Sequence, residues 1–99
     1  MAEISIKLGG SYLKDGNICR FFTCSAINGN PEFKDSGLHN GFAFTVSKTK
    51  DTVTITSKPF GHSVAVTIPR NNKNCYYCFQ PGYDPGKGVI ESLIEAALR

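Results

Sequence analysis

The stretch Gly41–Phe79, GFAFTVSKTKDTVTITSKPFGHSVAVTIPRNNKNCYYCF, decides the fold. Phe42, Phe44 and Val46 alternate with Ala43, Thr45 and Ser47; Val53 and Ile55 alternate with Thr52, Thr54 and Thr56; Val64, Val66 and Ile68 alternate with Ser63, Ala65 and Thr67. Period-two alternation of β-branched and aromatic residues predicts strands with one buried and one wetter face. Lys48-Thr49-Lys50-Asp51, Lys58-Pro59-Phe60-Gly61-His62 and Pro69 to Asn74 read as the turns between them, and Cys75 to Phe79 as a short last strand.

Upstream, Ile4, Ile6 and Leu8 alternate with Glu3, Ser5 and Lys7, predicting a first strand over residues 3–8 that Gly9-Gly10 ends, with Tyr12 and Leu13 continuing an edge after a bulge. Asp15-Gly16 is a preferred type I′ pair. Ile18 to Ile27 reads as a second strand with an aromatic on each face. Asn28 to Asn40 reads as a long irregular loop holding Phe33, Leu38 and His39; long loops in small domains are often functional. Downstream, Gln80 to Gly88 is a Pro/Gly loop. Asp84 is placed as an N-cap and Pro85 at the first helical position. Val89, Ile90, Leu93, Ile94, Ala97 and Leu98 then form one apolar stripe at helical spacing. The expectation is a single α+β domain over residues 1–99: an antiparallel meander of about six strands, curled and packed against one C-terminal helix. An oligonucleotide-binding type of barrel is the alternative topology.

With 99 residues the chain is long enough to bury a core without metal or disulfide staples. A formal charge of +3 is too small to imply nucleic acid by itself. No apolar run reaches the ~18 residues that span a bilayer, and the N-terminus alternates instead of opening with a charged start and an apolar block. The expected setting is therefore the cytoplasm, with no membrane partner. The four cysteines are expected there as thiols or metal ligands rather than disulfides.

Cys19, Cys24, Cys75 and Cys78 form two pairs of the kind that can supply a four-thiolate zinc site. Their spacing within strands puts the members of each pair on opposite faces, so buried thiols are the preferred reading and zinc the alternative. Gly82-Tyr83-Asp84-Pro85-Gly86-Lys87-Gly88 offers backbone donors at a helix start and one lysine, a place for a small anionic ligand such as a nucleotide. It lacks the Walker A spacing and the Ser/Thr for magnesium. His39 and His62 accompany no marked nucleophile, and no carboxylates are paired for acid/base work. No catalytic residue and no cofactor is assigned.

The expected function is a small non-enzymatic binding protein, an inhibitor or adaptor acting on another protein, of the size and architecture seen among phage- and mobile-element-encoded antagonists of host defence. Phe33, Leu38, His39, Phe60 and Tyr83 are the partner-binding candidates. The alternative is single-stranded nucleic-acid binding through Lys48, Lys50, Lys58, Arg70, Lys73, Tyr76 and Tyr77. Five basic residues against the single Asp51 occupy the turns of the block, with tyrosines beside them. An edge strand at residues 3–8 or 75–79 is free to pair across a homodimer axis.

Overall fold

The computed structural model describes residues 4–24, 32–70 and 74–98. Seven strands form one antiparallel sheet: β1 (Lys7–Lys14), β2 (Asn17–Thr23), β3 (Ser36–His39), β4 (Phe42–Lys48), β5 (Thr52–Ser57), β6 (Val64–Pro69) and β7 (Cys75–Phe79). One helix, α1 (Lys87–Ala97), follows. The spatial order is β1-β2-β7-β6-β5-β4-β3. Strands β4 to β7 are the meander that the sequence predicts, and β3 extends it by one strand. The β1–β2 hairpin joins it at the single non-sequential seam, β2 against β7, with Cys19 opposite Cys78 and Phe22 opposite Cys75. The sheet is open, with β1 and β3 at its edges.

Cross-strand partners share a face, so register and burial together separate the two sides. The inner face carries Phe22, Phe44, Val53, Ile55, Val64, Val66, Ile68, Cys75, Tyr77 and Phe79, all buried. Against them lie Ile90, Leu93, Ile94 and Ala97 of α1. Burying each large side chain contributes roughly 1.5–3 kcal/mol. An eleven-residue helix is marginal alone, so α1 exists because this stripe is covered. Two further contacts fix it: the Ile6 amide donates to Glu91 Oε2 at 2.7 Å, and the Lys34 amide donates to the Ala97 carbonyl at 2.7 Å. The outer face carries Tyr12, Phe21, Tyr76 and a row of threonines.

Several boundaries differ from the sequence reading. Residues 4–6 are not strand; Ile4 and Ile6 are buried in the core and β1 begins at Lys7, running through Gly9-Gly10. The expected bulge is there, as a register shift between Leu8 and Ser11. The last part of the second predicted strand, residues 25–27, and the start of the long loop, residues 28–31, lie outside the described residues. The rest of that loop contains a strand, β3, turned into β4 by Asn40-Gly41, both with positive φ (51 and 84°). That is the type I′ hairpin signature, and Asp15-Gly16 (φ 52 and 81°) repeats it. Gly37 is required opposite Phe44, because a Cβ there would lie 2.7 Å from the Phe44 ring. Strand β7 is central, so residues 75–79 offer no free edge for a dimer; the exposed edge near the first predicted strand belongs to β1. The helix starts at Lys87 with Gly86 at the N-cap, not at Asp84 and Pro85. The Asp84 carboxylate instead accepts the Gly86 amide at 2.9 Å, a local turn that competes with helix capping.

The cysteines are also corrected. Cys19 and Cys78 form a disulfide on the outer face. Cys24 and Cys75 are buried thiols in the inner core. The sheet stands between the two pairs, so the four sulfurs cannot converge on one zinc ion. No cluster of three or more metal-ligating side chains occurs among the described residues. Burial, and then the neighbouring Cys24, push the Cys75 thiol up to about 11 from its ordinary 9.0. A raised folded-state value means stability that is complete below the unfolded value and is lost as pH rises through the folded one. The urea midpoint is therefore expected to fall between pH 9 and 11, and to fall less in a Cys75→Ala variant, in which this titration is absent. Equal falls in the two proteins would count against the assignment.

Candidate functional site

The strands alternate in direction, so their turns divide between two ends of the sheet. One end holds the Asn40-Gly41 turn, the β5–β6 turn over Lys58–His62 and the loop from Gln80 to Gly86. The other holds the β4–β5 turn, the segment before β3 and the end of β6. The sequence-derived candidates separate along this axis.

His39, Phe60 and Tyr83 come together. With Phe42, Val89 and Leu93 they line an apolar cavity of about 170 Å³ at the first end, to which Asn40 and Ser57 add polar groups. Phe60 meets Phe42 edge-on with ring centroids 4.7 Å apart. Tyr83 stacks on His62 at 4.4 Å. The His39 ring is held by Ser92: Ser92 Oγ donates to the Val89 carbonyl at 3.2 Å and lies 2.7 Å from His39 Nε2. Asn40 Nδ2 lies 3.5 Å from the same Nε2, so the tautomer of the ring decides which of these groups donates. Burial lowers the His39 pKa, which favours the neutral ring. The hydrogen-bond partners of His39 among the described residues are Ser92 and Asn40, and neither is the carboxylate that orients the imidazole of a hydrolase triad.

The other two partner-binding candidates lie apart from the cavity. Leu38 is on edge strand β3 and points outward, 71% exposed. Phe33 is corrected: it is buried, and its backbone bridges to Leu98 at the far end of α1. Its apolar ring was legible; that it faces the chain's own core was not.

The basic candidates are scattered. Lys48, Lys50 and Arg70 lie at the second end and Lys58 at the first; Lys73 lies outside the described residues. Lys48 is engaged internally, 2.9 Å from Asp35 and donating to the Phe33 carbonyl at 2.6 Å. Tyr76 is on the outer face, but Tyr77 is fully buried under α1, so it cannot stack on a base. Burial raises the Tyr77 phenol above its ordinary range, and the charge of Asp84 adds to this, opposed by Arg20. In the Gly82–Gly88 loop the carboxylate of Asp84 takes the Gly86 amide and faces Arg20 at 3.8 Å. One amide an anion would use there, that of Gly86, is thus already engaged by a carboxylate, and Lys87 lies 4.0 Å from Glu91.

Phe60 is the residue whose backbone the sequence reading passes over. It has φ 55° and ψ 26°, followed by Gly61 at φ 84°, and the His62 amide donates to the Pro59 carbonyl at 3.0 Å. This is the same left-handed pair that Asp15-Gly16 and Asn40-Gly41 form, but with phenylalanine where Asp or Asn is favoured. The signal available in the sequence was the X-Gly pair in a hairpin-length turn.

No protein-family model, curated protein or solved structure matches this chain. No helix among the described residues is long and apolar enough to cross a membrane.

Proposed function

We propose that this chain is a non-enzymatic binding protein that engages another protein, as inhibitor or adaptor, through the sheet end formed by His39, Phe60 and Tyr83. The observation that carries this reading is Phe60. Its ring is 75% exposed and its backbone is held in the left-handed region. A left-handed non-glycine residue costs on the order of 1–3 kcal/mol, and an exposed ring forgoes the gain of burial. The edge-on contact with Phe42 offsets only part of these costs, while an exposed aromatic beside an apolar cavity is a usual anchor at an interface. Antagonism of a host defence protein by a phage-encoded chain is one role of this kind; it rests on size and architecture alone. The Cys19–Cys78 bridge weighs against the cytoplasmic residence expected from the sequence, because reducing compartments keep thiols reduced.

The test is comparative capture from the native source with the wild-type chain and Phe60→Gly. A specific partner should be retained by the first and lost by the second. Retention of the same partner by both proteins would remove Phe60 from the interface and the proposal with it.

A further inference from the structure

We propose that the outer face of the sheet, around β1, β2 and β7, is a second site, and that it takes single-stranded nucleic acid. Tyr12, Phe21 and Tyr76 form a row across these three adjacent strands. Tyr12 and Phe21 stack with centroids 4.9 Å apart, and Phe21 meets Tyr76 edge-on at 6.4 Å. Phe21 is 40% exposed although it sits in the middle of the row. Cross-strand aromatic pairs stabilise sheets, but an accessible row of rings is also the platform on which unpaired bases stack.

A groove of about 390 Å³ opens beside the row. It lies where β1 bulges between Leu8 and Ser11, and bulges commonly re-aim a strand next to a site. Its volume falls within the ~300–1,000 Å³ of small-ligand sites. Lys7, Thr23 and Asn74 bring a cation and polar groups to it, and Phe21 provides an apolar wall.

Charge selects the ligand. The seven strands contain no Asp or Glu, and β1 carries Lys7 and Lys14 on the outer side. The face is thus complementary to phosphate. It lacks the carboxylate acceptors suited to a hydroxyl-rich sugar or a cationic peptide. An open sheet face with accessible rings suits splayed bases rather than a closed duplex. One nucleotide occupies the groove with its phosphate at Lys7, and neighbouring bases extend over Phe21 and the two tyrosines. This site is independent of the Phe60 end.

The probe is fluorescently labelled oligo(dT) and oligo(rU), followed by anisotropy from about 50 to about 200 mM salt. Binding should weaken with salt with a slope of about −0.7 per phosphate neutralised, and the stronger of the two oligomers identifies the sugar preferred. Phe21→Ala should lower affinity at least about five-fold, the loss of one stacked base. Lys7→Gln, a surface change that leaves the fold intact, should flatten the salt slope by about one phosphate. Phe60→Gly should bind as the wild type does. Absence of binding by both oligomers at the lowest salt, equal binding of a duplex, or unchanged affinity and salt slope in Lys7→Gln would each overturn the proposal.

Discussion

Reducing the Cys19–Cys78 disulfide is expected to lower the free energy of unfolding by about 4 kcal/mol. The bridge links residues 59 apart in sequence. In the chain-entropy account, that loop in the unfolded state is what the bridge restricts. Its place in the topology explains why the effect is large. Among the strand pairings of the described residues, β2–β7 is the only seam not closed by a local turn and the one that joins the β1–β2 hairpin to the meander. Loop closure over such a distance opposes that pairing, and the covalent link removes most of the cost. For a domain whose total stability lies in the ordinary range of about 5–15 kcal/mol, the loss is a large fraction of the whole. Urea unfolding with and without dithiothreitol measures it, with a Cys19→Ser/Cys78→Ser variant as the control that needs no reductant. Coincident midpoints in all three samples would show that the bridge contributes nothing.

The second large effect separates two phenylalanines that look alike in the sequence. Phe33→Ala is expected to destabilise the fold by about 3–5 kcal/mol, the range for emptying a buried aromatic site. Its ring belongs to the inner core, and the segment it anchors closes the C-terminal end of α1 through the Phe33–Leu98 bridge and the Lys34–Ala97 hydrogen bond. Phe60→Gly is expected to leave stability unchanged or slightly raised. Glycine accepts the left-handed backbone without strain, and only a largely exposed ring is removed. Chemical denaturation of the two variants side by side checks both. If Phe60→Gly unfolded as readily as Phe33→Ala, the ring would be holding the turn, and its exposure would lose its functional meaning. The comparison also guards the capture experiment, since a partner lost by a stably folded Phe60→Gly protein is lost for want of the ring.

Much of the fold was legible because its signals are local. Alternation located β4 to β7 nearly to the residue, since each strand has one face on α1 and one in water. The apolar stripe of the C-terminal segment marked the helix for the same reason. Asp15-Gly16 marked its hairpin. Asn40-Gly41 carries the same signal, and β3 was passed over because its four residues, with an exposed Leu38 and a glycine facing Phe44, show little alternation. The helix start was misplaced because Asp84 has two uses for its carboxylate, a cap or a local turn, and the sequence does not distinguish them.

The candidate site was legible as a set of residue types and not as a place. His39, Phe60 and Tyr83 were singled out as polar or aromatic residues in turns, and the chain brings them to one cavity. Phe33, an aromatic in the predicted loop, and Tyr77, a tyrosine beside a basic turn, were singled out too and are buried. Whether an aromatic in a loop faces solvent or core depends on which distant element covers it, here α1 in both cases. The outer-face row was only partly visible through Tyr76, since Tyr12, Phe21 and Tyr76 become neighbours only when β2 pairs with β7.

The sequence by itself determined the class: one α+β domain, its strand periodicity, the amphipathic helix and most of its turns. Each of these depends on interactions within a few residues. Tertiary structure alone decided the strand order, the pairing of Cys19 with Cys78, the sorting of aromatics between core and surface, and the strain at Phe60. These depend on contacts between residues far apart in the chain, and in this protein the β2–β7 seam sets most of them.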